Sequence, residues 1–89
     1  MKKICLVGHA DDRAKADRLL SGKKVDISHI SCTSDLHQCD ALARFLKKDF
    51  YADLIVTRED LVEQFVAIHP GLCRNTVTFQ DLPEHLRSL

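Results

Sequence analysis

Hydrophobic positions along the chain form four short apolar runs that alternate with longer amphipathic stretches. The apolar runs have the length and composition of strands, and they read KKICLVG, KVDISHIS, ADLIVT and NTVTFQ. In the other stretches apolar residues recur at helical spacing, and these read DDRAKADRLLS, SDLHQCDALARFLKK, TREDLVEQFVAIHPG and DLPEHLRSL. The pattern therefore predicts the order βαβαβαβα in a single α/β domain that covers residues 1–89.

The ends of the predicted helices carry residues that favour starting or stopping a helix. The acidic pair at positions 11–12 suits the positive end of the first helix, and Gly22 suits its C-terminal end. Thr57 with Asp60 resembles a capping box, in which the threonine side chain would accept a backbone N–H. Asp81 is the predicted cap of the last helix.

Strict alternation of strands and helices predicts a three-layer fold around an open, four-stranded parallel sheet. Short connections with right-handed crossovers favour the strand order 2-1-3-4. In open sheets of this kind ligands bind at the carboxyl ends of the strands, where the direction of winding reverses. This topology brings the loop at residues 8–13, after the first strand, next to the loop at residues 57–60, after the third. We therefore expect any site at this edge.

The two loops contain residues suited to binding an anion. His9 is a candidate phosphoacceptor or acid–base group, and Arg13 and Arg58 could converge on an anion at the N-terminus of the first helix. Gly8 and Thr57 complete the predicted anion-binding set. A plainer interpretation is also open, in which His9 is a solvated loop residue and the arginines pair with nearby carboxylates.

Adjacent Asp11 and Asp12 argue against a bound phosphate. Two carboxylates at a helix start stabilise the helix dipole but repel an anion. They could instead hold a hard cation such as Mg²⁺, but capping of the helix start is the favoured interpretation. We predict no bound metal and no cofactor.

Composition excludes several classes of function. The chain has 13 basic and 13 acidic residues, so its formal net charge is zero and it lacks the field that attracts nucleic acid. With four Phe, one Tyr and no Trp it has few residues on which bases could stack. The apolar runs are too short for a membrane span or a signal peptide, so we expect a cytoplasmic protein that does not insert into membranes.

The four cysteines are predicted to be reduced thiols, because no secretory signal accompanies them. Cys5 lies inside the first apolar run and is expected to be buried, and Cys39 lies on an apolar helical stripe. The spacing of Cys32, His37 and Cys39 does not suit a zinc site, since no C-x-x-C pair is present.

The C-terminal half resembles the IIB domains of the bacterial phosphoenolpyruvate sugar phosphotransferase system, particularly the mannitol type. The resemblance covers residues 52–82 and rests on ADLIVTREDLVEQ, the proline at position 70 and NTVTFQDL. It implies a phosphoryl-transfer domain whose partner is a phosphocarrier or transporter protein. Low-molecular-weight protein tyrosine phosphatases share this fold, and ISCTS, ADLIVT, IHP and VTFQDLPE are similar to their pattern.

Both families place a nucleophilic cysteine directly after the first strand, in a loop whose backbone N–H groups hold phosphate. In this chain Gly8 or His9 occupies that place, and Cys5 falls three residues earlier, inside the strand. Arg13 lies near the position of the phosphatase arginine, and Asp81 is the candidate for the phosphatase general acid. The resemblance thus implies a fold and an ancestry, while the missing cysteine implies a degenerate site.

The receiver domains of response regulators offer a third comparison. KKICLVGHADDRAKADRLL is similar to their first strand and acidic pair, but Thr57 occupies the position of their phosphoacceptor aspartate. The residues and the resemblances leave two main hypotheses. One is a IIB-like domain that transfers a phosphoryl group or binds a small anion. The other is a non-catalytic module of the same ancestry that binds a protein partner or a small anion.

Overall fold

In the computed structural model, residues 1–32, 50–68 and 73–88 are described, and they form strands and helices in alternation. The strands are β1 (Lys2–Gly8), β2 (Val25–Ser31), β3 (Ala52–Thr57) and β4 (Cys73–Thr78). The helices are α1 (Ala10–Leu20), α2 (Glu59–Ile68) and α3 (Leu82–His85), and a 3₁₀ turn (Leu86–Ser88) follows α3. The helix predicted from SDLHQCDALARFLKK lies outside the described residues.

The four strands form one parallel sheet in the order β2-β1-β3-β4, which confirms the predicted fold class and strand order. β1 is central and pairs along its whole length with β2, from Lys2 opposite Val25 to Gly8 opposite Ser31. All strands point the same way, so their carboxyl ends share one edge of the sheet. This edge carries the loops in which the sequence places a site.

Each face of the sheet has its own apolar core, which gives the predicted three layers. On the first face buried residues of the strands pack with α2, and this cluster includes Cys5, Val7, Ile55, Leu61 and Phe65. On the second face they pack with α1 and α3, and this cluster includes Ile4, Leu6, Val56, Ala16, Leu20 and Leu82. Because side chains alternate along a strand, β1 and β3 supply apolar residues to both clusters.

The C-terminal end of α1 agrees with prediction, whereas the predicted start of α2 is wrong. Gly22 has φ +86°, a conformation that favours glycine, and it follows the last turn of α1. Thr57 does not cap α2, because its hydroxyl is buried and has no hydrogen-bond partner among the described residues. Thr57 is instead the last residue of β3, where it pairs with Thr78, and α2 begins at Glu59.

β4 ends two residues earlier than the apolar pattern predicts. The N–H of Phe79 still donates to the carbonyl of Thr57 at 3.0 Å, but Phe79 and Gln80 already belong to a turn. Asp81 occupies the predicted cap position of α3 without a capping bond from its side chain. Its own N–H donates to the hydroxyl of Thr78 at 3.1 Å. This tight turn is what places Phe79 at the carboxyl edge.

Among the described residues, no helix combines the length and the hydropathy needed to cross a bilayer.

Candidate functional site

The loops after β1 and β3 meet at the carboxyl edge, as the topology predicts. His9 is exposed at the start of α1, and its Nε2 lies 3.0 Å from Nη1 of Arg58 in the loop before α2. A guanidinium can only donate hydrogen bonds, so Nε2 of His9 must be the acceptor and its proton lies on Nδ1. Arg58 also donates from Nη2 to Oδ2 of Asp60 at 3.1 Å. We refer to His9, Arg58 and Asp60 as the Arg58 cluster.

Arg13 belongs to a different cluster. Its Nε donates to the carbonyl of Gly8 at 3.0 Å, and its Nη1 lies 3.4 Å from Nδ1 of His29 on β2. Nε2 of His29 in turn donates to Oδ2 of Asp17 at 2.8 Å. We refer to Arg13, His29 and Asp17 as the His29 cluster. The hydrogen bonds thus direct Arg13 and Arg58 to separate histidines.

His29 is not among the site residues that the sequence predicts. The alternation with Val25 and Ile27 places all three side chains on the face of β2 that α1 covers, and this was the available clue. Asp17 lies one helical turn after Arg13, so both side chains project toward the same strand. The His29 cluster therefore ties α1 to the edge strand β2.

Gly8 sits at the junction of β1 and α1, and this position requires a glycine. It is buried with φ +157°, and a Cβ built there would lie 2.9 Å from Cε2 of Phe79. Only a residue without a side chain allows this approach. Phe79, which the apolar pattern assigns to a strand, thereby packs against the junction.

An open groove of about 520 Å³ lies between the start of α1, the start of α2 and the turn after β4. Three carboxylates and one guanidinium line it together with that turn, and its residues are Asp12, Arg58, Glu59, Asp60, Thr78, Phe79 and Gln80. A second depression of about 240 Å³ shares Asp12, Phe79 and Gln80 and adds Lys15, Ala16 and Leu19 of α1. We refer to the two together as the rim groove.

Charge in the larger depression is therefore mainly negative. Asp60 is neutralised in part by Arg58, whereas Asp12 and Glu59 have no hydrogen-bond or ion-pair partner among the described residues. Each of these carboxylates lies in the first turn of a helix, whose dipole stabilises negative charge there. Asp12 thus lines the same open groove as Arg58.

Neither Cys5 nor Cys32 presents a thiol at this edge. Both are reduced and are 3% and 1% exposed, and both belong to the core on the α2 side of the sheet. Burial of Cys5 confirms the prediction from the apolar run. The N–H of Cys32 donates to the carbonyl of Gly8 at 3.3 Å, so its backbone approaches the junction while its side chain is in the core.

Thr57 and the candidate metal ligands do not form a site at the carboxyl edge among the described residues. Thr57 is fully buried, and its hydroxyl is the buried side-chain polar atom without a partner in the described part of the chain. His37 and Cys39 lie outside the described residues. Within the described ranges, no three His, Cys, Asp or Glu side chains are grouped so that they could hold a metal ion.

Comparison with known proteins leaves the family of this chain open. No family model, no curated protein and no solved structure matches it. The resemblance to IIB domains and to low-molecular-weight phosphatases therefore stays a prediction from the motifs quoted above.

Proposed function

We propose that this chain is a non-catalytic binding module whose rim groove takes up part of a protein partner. The observation that carries the proposal is the lining of the groove, where Asp12, Glu59 and Asp60 face a single guanidinium. That guanidinium, of Arg58, is already engaged by His9 and Asp60. A small anion would have to displace these contacts and approach two further carboxylates.

Electrostatics support a protein partner over a phosphate. Two unit charges 4 Å apart interact by about 4 kcal/mol at the effective dielectric constant of a protein surface. Unpaired Asp12 and Glu59 would therefore offset much of what Arg58 could contribute to phosphate binding. The N-terminal amides of α1, which His9 leaves without a side-chain cap, adjoin the same Asp12. This balance argues against the predicted anion set of Gly8, His9, Arg13, Thr57 and Arg58.

Cysteine chemistry has no support from the described thiols. A nucleophilic thiol must be accessible as its thiolate, usually in an electropositive loop. Cys5 and Cys32 are buried among apolar side chains instead. The resemblance to IIB domains still suggests the class of partner, namely a phosphocarrier or transporter protein, since a degenerate module can keep the docking surface of its ancestors.

The experiment is site-specific crosslinking in cells. A photoreactive amino acid replaces the exposed Gln80, which lines both depressions of the rim groove, and in a matched control it replaces the exposed Asp26 on β2. We expect a discrete crosslinked protein from position 80 that is absent from position 26. Loss of that product in an Asp12→Lys background would place contact in the groove. Equal products from both positions, or none, would contradict the proposal.

A second candidate function is phosphoryl acceptance by His9, and one observation favours it. His9 is exposed beside Arg58, and its Nδ1 has no partner among the described residues, so an acceptor nitrogen and a phosphate-binding guanidinium are adjacent. Incubation with labelled phosphoenolpyruvate and the phosphocarrier of the sugar phosphotransferase system tests it. Label that disappears in His9→Ala and persists in His29→Ala would establish this function and remove the non-catalytic one.

A further inference from the structure

We infer that the amino edge of the sheet, where the strands begin, binds the headgroup surface of an anionic lipid bilayer. This edge lies at the other end of the strands from the rim groove, and the inference does not rest on the proposed function. It depends on two separate observations, a group of basic side chains and a pair of exposed apolar side chains among them. The chain would lie on the bilayer and not span it.

The starts of two neighbouring strands bring basic side chains together at this edge. Pairing of β1 with β2 begins at Lys2, and Lys23 and Lys24 come directly before β2, so they lie beside Lys2 and Lys3. Nζ of Lys23 donates to the carbonyl of Leu86 at 3.1 Å, which brings the next residue to the same end. We refer to these five exposed residues as the basic edge: Lys2, Lys3, Lys23, Lys24 and Arg87.

Charge at the basic edge is mainly positive. Two carboxylates lie nearby, of which Asp53 accepts the backbone N–H of Lys3 at 2.7 Å and Asp26 is exposed on β2. Lys3, Lys24 and Arg87 have no ion-pair partner among the described residues. The dipole of α1 accounts for basic residues just after that helix, but it does not account for those at the start of β1.

Two exposed apolar side chains lie within the basic edge. Met1 is 86% exposed and Tyr51 is 46% exposed, and they are two of the three large hydrophobic residues that the described part of the chain leaves exposed. β1 and β3 pair with Ile4 opposite Leu54, and this register brings Met1 and Tyr51 together. A tyrosine ring suits a bilayer interface, where one end is apolar and the other is wet. A nucleic acid backbone would need only the charges, so this pair favours the bilayer.

The distribution of charge predicts how the chain would be oriented. The seven residues of β1 separate the two edges of the sheet by about 20 Å, which is more than twice the Debye length of about 8 Å at physiological ionic strength. The carboxyl edge carries the Asp12, Glu59 and Asp60 carboxylates of the rim groove. An anionic bilayer would therefore attract the basic edge and repel the rim groove, although the net charge of the chain is zero.

A single tryptophan at either edge tests this orientation, because the sequence contains none. The variants are Tyr51→Trp at the amino edge and Gln80→Trp at the rim groove, and both positions are exposed. The probes are vesicles of phosphatidylcholine alone and vesicles of equal amounts of phosphatidylcholine and phosphatidylserine. We expect a blue shift of the emission from position 51 with the anionic vesicles, and no shift from position 80 or with phosphatidylcholine alone.

A pair of variants with matched net charge assigns the binding to the basic edge. Lys24→Gln should weaken sedimentation with the anionic vesicles about fivefold, whereas Ala14→Glu, an exposed position on α1, should leave it within about twofold. Added salt should weaken the binding, since screening acts on the charges. If a variant fails to fold, sedimentation of the unaltered protein with the two kinds of vesicle still tests the inference.

Three results would overturn the inference. They are equal binding to the two kinds of vesicle, a shift of equal size from positions 51 and 80, and no binding at all. Binding to a DNA duplex as tight as to the anionic vesicles, without a shift from position 51, would also overturn it, because the basic edge would then recognise polyanions in general.

Discussion

Two Arg–His–Asp clusters flank the junction of β1 and α1, and they connect the same three residue types in different orders. In the Arg58 cluster the arginine is central, and it donates to both His9 and Asp60. In the His29 cluster the histidine is central, and Asp17 and Arg13 occupy its two ring nitrogens. His9 therefore keeps one nitrogen without a described partner while His29 keeps none. The Arg58 cluster thus borders an open groove, whereas the His29 cluster holds α1 against β2.

The largest expected effect concerns Gly8, which lies between the two clusters. Gly8→Ala should lower the free energy of unfolding by about 2–3 kcal/mol, because the added Cβ meets the Phe79 ring at 2.9 Å and the backbone has φ +157°. The control is Gly22→Ala, where φ is +86° and no atom lies within 4 Å, so only the backbone strain of about 1 kcal/mol is expected. Urea denaturation measures both. Equal losses would show that the contact with Phe79 does not constrain the junction.

The next prediction concerns the buried hydroxyl of Thr57, the residue that precedes Arg58. Thr57→Val should raise the free energy of unfolding by about 1 kcal/mol, because it removes a fully buried hydroxyl that has no partner among the described residues. Thr78→Val on the neighbouring strand should instead lower it by about 0.5–1 kcal/mol, since that hydroxyl accepts the N–H of Asp81. Thermal and urea unfolding of the two variants measure these changes in the free energy of unfolding. A loss of stability in Thr57→Val would mean that its hydroxyl is satisfied after all.

A smaller effect distinguishes the two histidines directly. His29→Ala should lower the free energy of unfolding by about 0.5–1 kcal/mol, an amount limited by the exposure of the His29 and Asp17 side chains, which are 35% and 50% exposed. His9→Ala should change it by less than about 0.3 kcal/mol, because His9 accepts one exposed bond and caps nothing. Chemical denaturation of both variants gives the comparison. A larger loss in His9→Ala would reverse the roles assigned to the clusters.

The last prediction concerns the tautomers of His9 and His29 and needs no substitution. At alkaline pH, where histidine is neutral, the hydrogen bonds require opposite tautomers, with the proton on Nδ1 in His9 and on Nε2 in His29. Long-range ¹H–¹⁵N correlation spectra distinguish the two forms. The same tautomer at both positions would break the comparison between the clusters.

The architecture was predictable because the apolar runs of the sequence are short, separate and bounded by helix signals. KKICLVG and ADLIVT are identical in extent to β1 and β3. The strand order followed from the alternation of elements, and the meeting of the loops at residues 8–13 and 57–60 followed from that order. Each of these inferences needs only local patterns and a general rule of topology.

Side-chain choices at the edge could not be predicted in the same way. Thr57 looked like a cap because its neighbours fit a capping box, but pairing with Thr78 holds it in the strand. Arg13 bonds to Gly8 and His29 and does not converge with Arg58, a choice of side-chain partner that the sequence pattern does not reveal. Phe79 entered the rim groove because a turn ends β4 early, which an apolar pattern does not reveal. Such outcomes depend on long-range packing.

The approach of Phe79 to Gly8 has a practical consequence. The Phe79 ring lines the rim groove and also packs against Gly8, where β1 passes into α1. A ligand bound against the Phe79 ring would restrain the β1–α1 junction, so binding should raise the melting temperature of the protein. Melting curves recorded with a panel of candidate peptides would then report recognition without any label, even before the natural partner is identified.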